Sequence, residues 1–254
     1  MSAENWQIVV FFFLIASLYS SVGFGGGSSY ISILAFYGLP FTFVRSVALI
    51  CNIVVVSNST VQYWRNGLLN LKKIIPLVLL SVPLAFIGGK IPLKEKSFFI
   101  LLGVTLLIAS LLMWFQPKTS SNGEKRKLSD QKQFIFDLLV GGFIGFVSGM
   151  VGIGGGIFLS PLLYILKWDE AKKISAVSTV FILVNSVSGL IGQNNLSIFE
   201  TNKYFVLALV LAVFVGGFLG NYLTILKLKQ DTVRKATALL IAYVSVNLLM
   251  KYLG

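Results

Sequence analysis

Two glycine runs carry most of the chemistry open to this chain. Gly23-Phe24-Gly25-Gly26-Gly27 lies in an apolar stretch, and Gly152-Ile153-Gly154-Gly155-Gly156 repeats it in the second half. Setting 21–40 against 150–169, an offset of 129, also pairs Val22 with Val151 and Leu34 with Leu163. Glycine reaches backbone angles closed to other residues, so each run marks a place where a helix comes apart. A helix that restarts there presents unpaired N–H groups and the positive end of its dipole. Those groups hold an anion without any charged side chain. The candidate ligands are Gly25, Gly26, Gly27, Ser28 and Ser29 in the first copy, and Gly154, Gly155, Gly156 and Ile157 in the second. Ser28 and Ser29 add hydroxyl donors where the second copy has Ile157 and Phe158, so the expected site is chemically lopsided.

The segment after each short arm is unusually polar for an apolar chain. The first carries Asn52, Ser57, Asn58, Ser59, Thr60 and Gln62; the second carries Ser175, Ser178, Thr179, Asn185, Ser186, Ser188 and Gln193. Asn52, Asn58, Ser178, Thr179 and Asn185 extend the candidate ligand set, with Asn58-Ser59 set against Asn185-Ser186 at an offset of 127. Neutral donors of this kind suit a sulfur oxyanion or sulfonate, which offers several acceptor oxygens. Arg45 and Lys173 precede these segments at positions read as equivalent, where they would attract an anion to the pathway mouths. A blander chemistry competes throughout. Glycine runs also let helices pack closely, Ser, Thr and Asn join helices, and Arg and Lys anchor topology. Two aligned copies, each followed by a polar segment, tip the balance towards a pathway.

The elements that must position these residues are helices in lipid. Of 254 residues, 56% are hydrophobic and 12% charged, with a mean hydropathy of +0.86, the composition of a polytopic membrane protein. Each half reads as a long arm (6–22; 134–151), the break, a short arm (28–37; 157–166) and three full-length helices. Those helices fall at 46–64, 74–89 and 97–115, then at 174–192, 204–226 and 236–253. The expected fold is an all-α bundle of two repeats, 1–115 and 134–254, joined by a polar linker at 116–133. All four Trp fall at segment ends, where interfacial rings belong. The first residues lack a basic region of the kind that opens a signal peptide, so cleavage is not expected.

Several functions are excluded by what is missing. The net charge of +12 lies between apolar runs, which writes topology and not nucleic-acid binding. With no His and one Cys, no metal site of those ligands, no cofactor and no internal disulfide are expected, and Cys51 reads as a small buried apolar residue. No Ser-His pair or paired carboxylates exist in the apolar segments, which argues against an enzyme. The carboxylates near a membrane arm, Glu4 and Asp137, fall in its outer part, so a proton relay is not visible.

Charge sets the topology. If each arm, break and short arm make one crossing, the Lys and Arg residues divide eleven to ten. If each pair is a hairpin returning to the side it left, fifteen of 21 fall on one side. The second division obeys the positive-inside rule. It makes the repeats inverted, with six crossings, both termini outside the cell membrane and the linker in the cytoplasm. A homo-oligomer is compatible with this plan.

The second glycine run and its sequel, Gly152-Ile153-Gly154-Gly155-Gly156-Ile157-Phe158-Leu159-Ser160-Pro161-Leu162-Leu163, resemble the signature of the sulfite exporter TauE/SafE family, also called the toluene sulfonate uptake permeases. So do the degenerate first copy and Ala176-Val177-Ser178-Thr179. The resemblance covers essentially the whole chain. It implies an integral membrane transporter of sulfite, organosulfonates or related organic anions. Ser32 stands where the second copy has Pro161, a departure that sets the two half-sites apart. The competing reading is a membrane scaffold whose glycine runs are packing seams.

Overall fold

The computed structural model describes residues 3–20, 23–116, 129–194, 203–223 and 230–253. They form ten helices and no strand: α1 (Ala3–Ser20), α2 (Gly27–Phe36), α3 (Phe41–Arg65), α4 (Leu71–Lys90), α5 (Glu95–Phe115), α6 (Asp130–Val151), α7 (Gly156–Ile165), α8 (Ala171–Gln193), α9 (Lys203–Leu223) and α10 (Gln230–Leu253). Most of the expected linker, 117–128, lies outside the described residues, as does Val22 at the end of the first arm.

Every expected helix is present, and several begin earlier than their apolar runs. α4 starts at Leu71 instead of 74 and α8 at Ala171 instead of 174. Lys-bearing first turns explain this, because Lys is a good helix former and the backbone ladder does not stop where hydropathy does. Among the described residues, six helices are long and apolar enough to cross a membrane: α3, α4, α5, α6, α8 and α9. The set includes α6, which the charge count does not make a crossing; α10 is expected as one, and its described apolar part is Thr237–Leu253.

The packing repeats when the halves are exchanged. α4 lies along α6 as α9 lies along α1, and α4 meets α8 as α9 meets α3. α3 against α8 and α5 against α10 are self-matching pairs. Small residues make the two long seams. Gly141, Gly145 and Gly149 place α6 against the backbone of α4 at Leu77, Ser81 and Ala85. In the other seam the glycines sit on α9, with Gly216 and Gly220 against the backbone of α1 at Phe13 and Ser17. Spacing of four residues puts such glycines on one helix face, where backbones can approach.

Each arm, break and short arm folds into a hairpin whose two ends meet. Tyr37 Oη, just past α2, donates to Gln7 Oε1 near the start of α1 at 3.0 Å. In the second half Trp168 Nε1 donates to Asp137 of α6 at 3.1 Å, and Gln133 Nε2 donates to the same carboxylate at 2.8 Å. Lys73, at the start of α4, pairs with the adjacent Asp169 and lies 5.0 Å from the Trp168 ring centre. Trp168 therefore departs from the interfacial reading. It is 7% exposed, whereas Trp6 and Trp64 are 56% and 70% exposed. The indole is drawn inward because the buried carboxylate of Asp137 needs donors. Trp168→Phe removes one of them and is expected to destabilise the detergent-solubilised protein by about 1–3 kcal/mol, read as a lower melting temperature.

Candidate functional site: two helix breaks meeting at Asn52

The breaks are built by backbone conformation. Gly26 and Gly155 cap the N-termini of α2 and α7 with φ of 85° and 82°, and Gly23, Gly152 and Gly154 are also left-handed. Side chains other than Gly strain there, at roughly 1–2 kcal/mol per residue. The amides of Ser29 and Tyr30 bond back to Gly26 O, and those of Phe158 and Leu159 to Gly155 O. Among the described residues, the amides of Gly27, Ser28, Gly156 and Ile157 have no backbone acceptor. This is the orphan-donor pattern of a helix start.

Asn52 of α3 touches both breaks. Its Nδ2 donates to Ile153 O at 2.8 Å, across the two halves. A Cβ added to Gly25 or Gly27 would come within 3.0 Å of its amide, and Nδ2 is 3.0 Å from the Cβ position of Gly154. Asn52 is fully buried, and its Oδ1 has no hydrogen-bond partner. In the second half Ile182 fills the corresponding place, packed against Gly154 and Gly156. Asn52→Leu imitates Ile182. It is expected to fold while leaving Ile153 O short of a donor, a loss on the order of 1–3 kcal/mol visible in thermal unfolding.

That correspondence corrects the register read from sequence. Asn52 answers to Ile182, Val56 to Ser186 and Arg45 to Ser175, an offset of 130. The physical reason is loop length: α2 and α3 are separated by residues 37–40, whereas α7 and α8 are separated by 166–170, one residue more. Asn58 and Asn185 consequently do not occupy equivalent places. Asn185 is buried and donates to Phe181 O within its own helix, while Asn58 is only partly buried. Arg45 and Lys173 are separated in the same way. Lys173 is on the surface, paired with Glu170 one turn away, and Arg45 is buried against Gly149 and Gly152 at the end of α6.

The remaining candidates fall into two groups. Ser28 and Ser186 are buried with hydroxyls that have no partner, and Ser186 Oγ lies within 3.0 Å of the Cβ position of Gly154. Ser29 is tied to Tyr19 Oη at 2.7 Å, Ser178 accepts from Ser160 at 2.6 Å, and Thr179 donates to Ala176 O. Ser29 and Ser178 therefore join helices, while Thr179 is satisfied within α8. Ile157 is buried in the apolar core. All six break glycines named as ligands are buried, so the site is closed to solvent in this arrangement. Ser186 was in the polar segment of the sequence but outside the ligand set, since its burial depends on the offset of 130.

Residues 8–248 match the family described as sulfite exporter TauE/SafE. The chain belongs to that family. As a TauE/SafE chain it is similar to a probable membrane transporter protein of Sinorhizobium fredii, 30% identical over 192 residues, covering 76% of this chain and 77% of the relative. A probable membrane transporter protein of Methanocaldococcus jannaschii is 28% identical over 197 residues, 72% and 70% of the two chains. One from Bacillus subtilis is 24% identical over 240 residues, 85% and 87%. No solved structure matches the chain. With six apolar helices among the described residues, this family member is a multi-pass membrane transporter.

Proposed function

We propose that the protein carries small anions, of the sulfite or organosulfonate type or related organic anions, by alternating access around the two breaks. The observation that carries this reading is the meeting of both breaks at one buried asparagine, with unpaired hydroxyls of Ser28 and Ser186 beside them. Buried polar atoms without partners are rare in proteins and call for an occupant. The hydroxyls and the free amides of α2 and α7 donate to oxyanion oxygens, while Asn52 Oδ1 accepts from a water or from a protonated oxyanion. The buried glycines correspond to an occluded state, and movement of one hairpin against the other opens it to either side.

The inverted topology is part of the proposal. Each hairpin begins and ends on its own side of the bundle, a reading supported by the Gln7–Tyr37 and Asp137–Trp168 bonds. The start of α6 and the start of α4 share the second hairpin's side through Lys73 and Asp169. Ser46, early in α3, bonds Gln193 at the end of α8, which runs the two polar helices in opposite senses. Together with the positive-inside bias this supports termini outside the cell membrane and a linker in the cytoplasm.

The test is flux of labelled sulfite and methanesulfonate into liposomes holding the purified chain. Saturable uptake above protein-free liposomes is expected. Absence of uptake for both, from folded protein in either orientation, would overturn the reading.

A further inference from the structure

We infer that Arg45 is the counter-charge of the anion site, a fixed guanidinium that recognises an oxyanion on its way between one end of the bundle and the second break. The inference rests on the transport reading above. Arg45 lies early in α3 and is 5% exposed. Its Nη2 donates to Gly149 O at 3.3 Å, its Cβ and backbone lie against Gly152, and its guanidinium carbon is 5.6 Å from the centre of the Phe98 ring. Nε has no partner. No carboxylate among the described residues pairs with it.

The position leads to the site. Neighbouring Ser46 bonds Gln193, the last residue of α8, which sets Arg45 at that end of the bundle. Asn52 follows seven residues later, two turns on and on the same helix face, about 10.5 Å further along the axis, where it holds Ile153 O. One stripe of α3 thus runs from the guanidinium to the second break. The corresponding residue beside the first break is Ser175, packed against Gly23. Among the described residues, a charged side chain packs against the second break and not the first.

Chemistry narrows what it takes. A buried cation without a counter-ion is expensive in a membrane protein and marks function by default. The carbonyl at the end of α6 and the Phe98 ring compensate it in part, through the helix dipole and the ring quadrupole. Neither supplies the bidentate acceptor that a planar guanidinium fork matches, and a sulfonate, sulfite or carboxylate does.

The experiment compares wild type, Arg45→Lys and Arg45→Gln as full-length purified chains. Melting temperature is followed against sulfite and methanesulfonate, at constant ionic strength in chloride, and flux is measured in liposomes. Arg45→Gln is expected to melt near wild type without anion, yet to weaken apparent anion affinity and raise KM by about tenfold or more, the scale of one charge-assisted bidentate contact. Arg45→Lys keeps the charge without the fork and falls between. Wild-type affinity and KM in Arg45→Gln overturn the inference while leaving the transport reading intact. If Arg45→Gln fails to fold, unchanged affinity in Arg45→Lys overturns it. Arg45-dependent binding with no wild-type flux sustains the inference and removes transport; no binding and no flux by wild type removes both.

Discussion

Gly154→Ala is expected to abolish transport and to destabilise the protein by roughly 2–5 kcal/mol. Two effects add. At φ of 82° a side chain is strained, at about 1–2 kcal/mol. The new Cβ would also stand within 3.0 Å of Ser186 Oγ and Ile182 Cγ2, an overpacking that adds roughly 1–3 kcal/mol. The displaced groups are those that close the second break, so loss of flux should exceed what lower stability alone produces. Gly38→Ala separates the effects. Gly38 has φ of 71° with nothing within 4 Å of its Cβ position, so it should show the strain alone and keep wild-type flux. Flux that survives Gly154→Ala at normal expression would remove the breaks from the site.

Gly145→Leu is expected to prevent recovery of folded protein. A Cβ there meets Ser81 backbone and side chain within 3.0 Å, and Gly141 and Gly149 face the backbone of α4 in the same way. Backbone in a packed helix cannot rotate aside as a side chain can, so α4 and α6 must separate along their whole seam. The loss reaches or exceeds the upper end of the usual overpacking range of about 1–3 kcal/mol, against a total stability of only about 5–15 kcal/mol. Gly189→Ala is the control, because its nearest neighbour, Gly149 Cα, lies at 3.6 Å. It should express and melt like wild type. The readout is monodisperse protein in size-exclusion chromatography, and a wild-type profile for Gly145→Leu would sink the seam as described.

These two glycines show what was legible in the chain. The break glycines announced themselves by repetition at a fixed offset, since a local run that interrupts two apolar stretches needs no knowledge of what lies opposite. The seam glycines at 141, 145 and 149 carry an ordinary small-residue spacing that is uninformative until a partner helix is known. Trp168 misled for a similar reason. Its place at a segment end gives no sign of Asp137, 31 residues earlier, whose carboxylate it meets.

The pattern of apolar runs by itself determined the helices, their order and the duplicated plan, because hydropathy and glycine conformational freedom act within a few residues of the chain. The family signature was equally local. Tertiary structure alone decided which polar residues face the breaks. The loop between α7 and α8 is one residue longer than that between α2 and α3, so α8 keeps the pose of α3 while its sequence slides one position, about 100° around the helix face. That shift gives Ile182 the place that Asn52 holds in α3, and Ser175 the place of Arg45. It withdraws Asn185 into its own helix and leaves Lys173 on the surface.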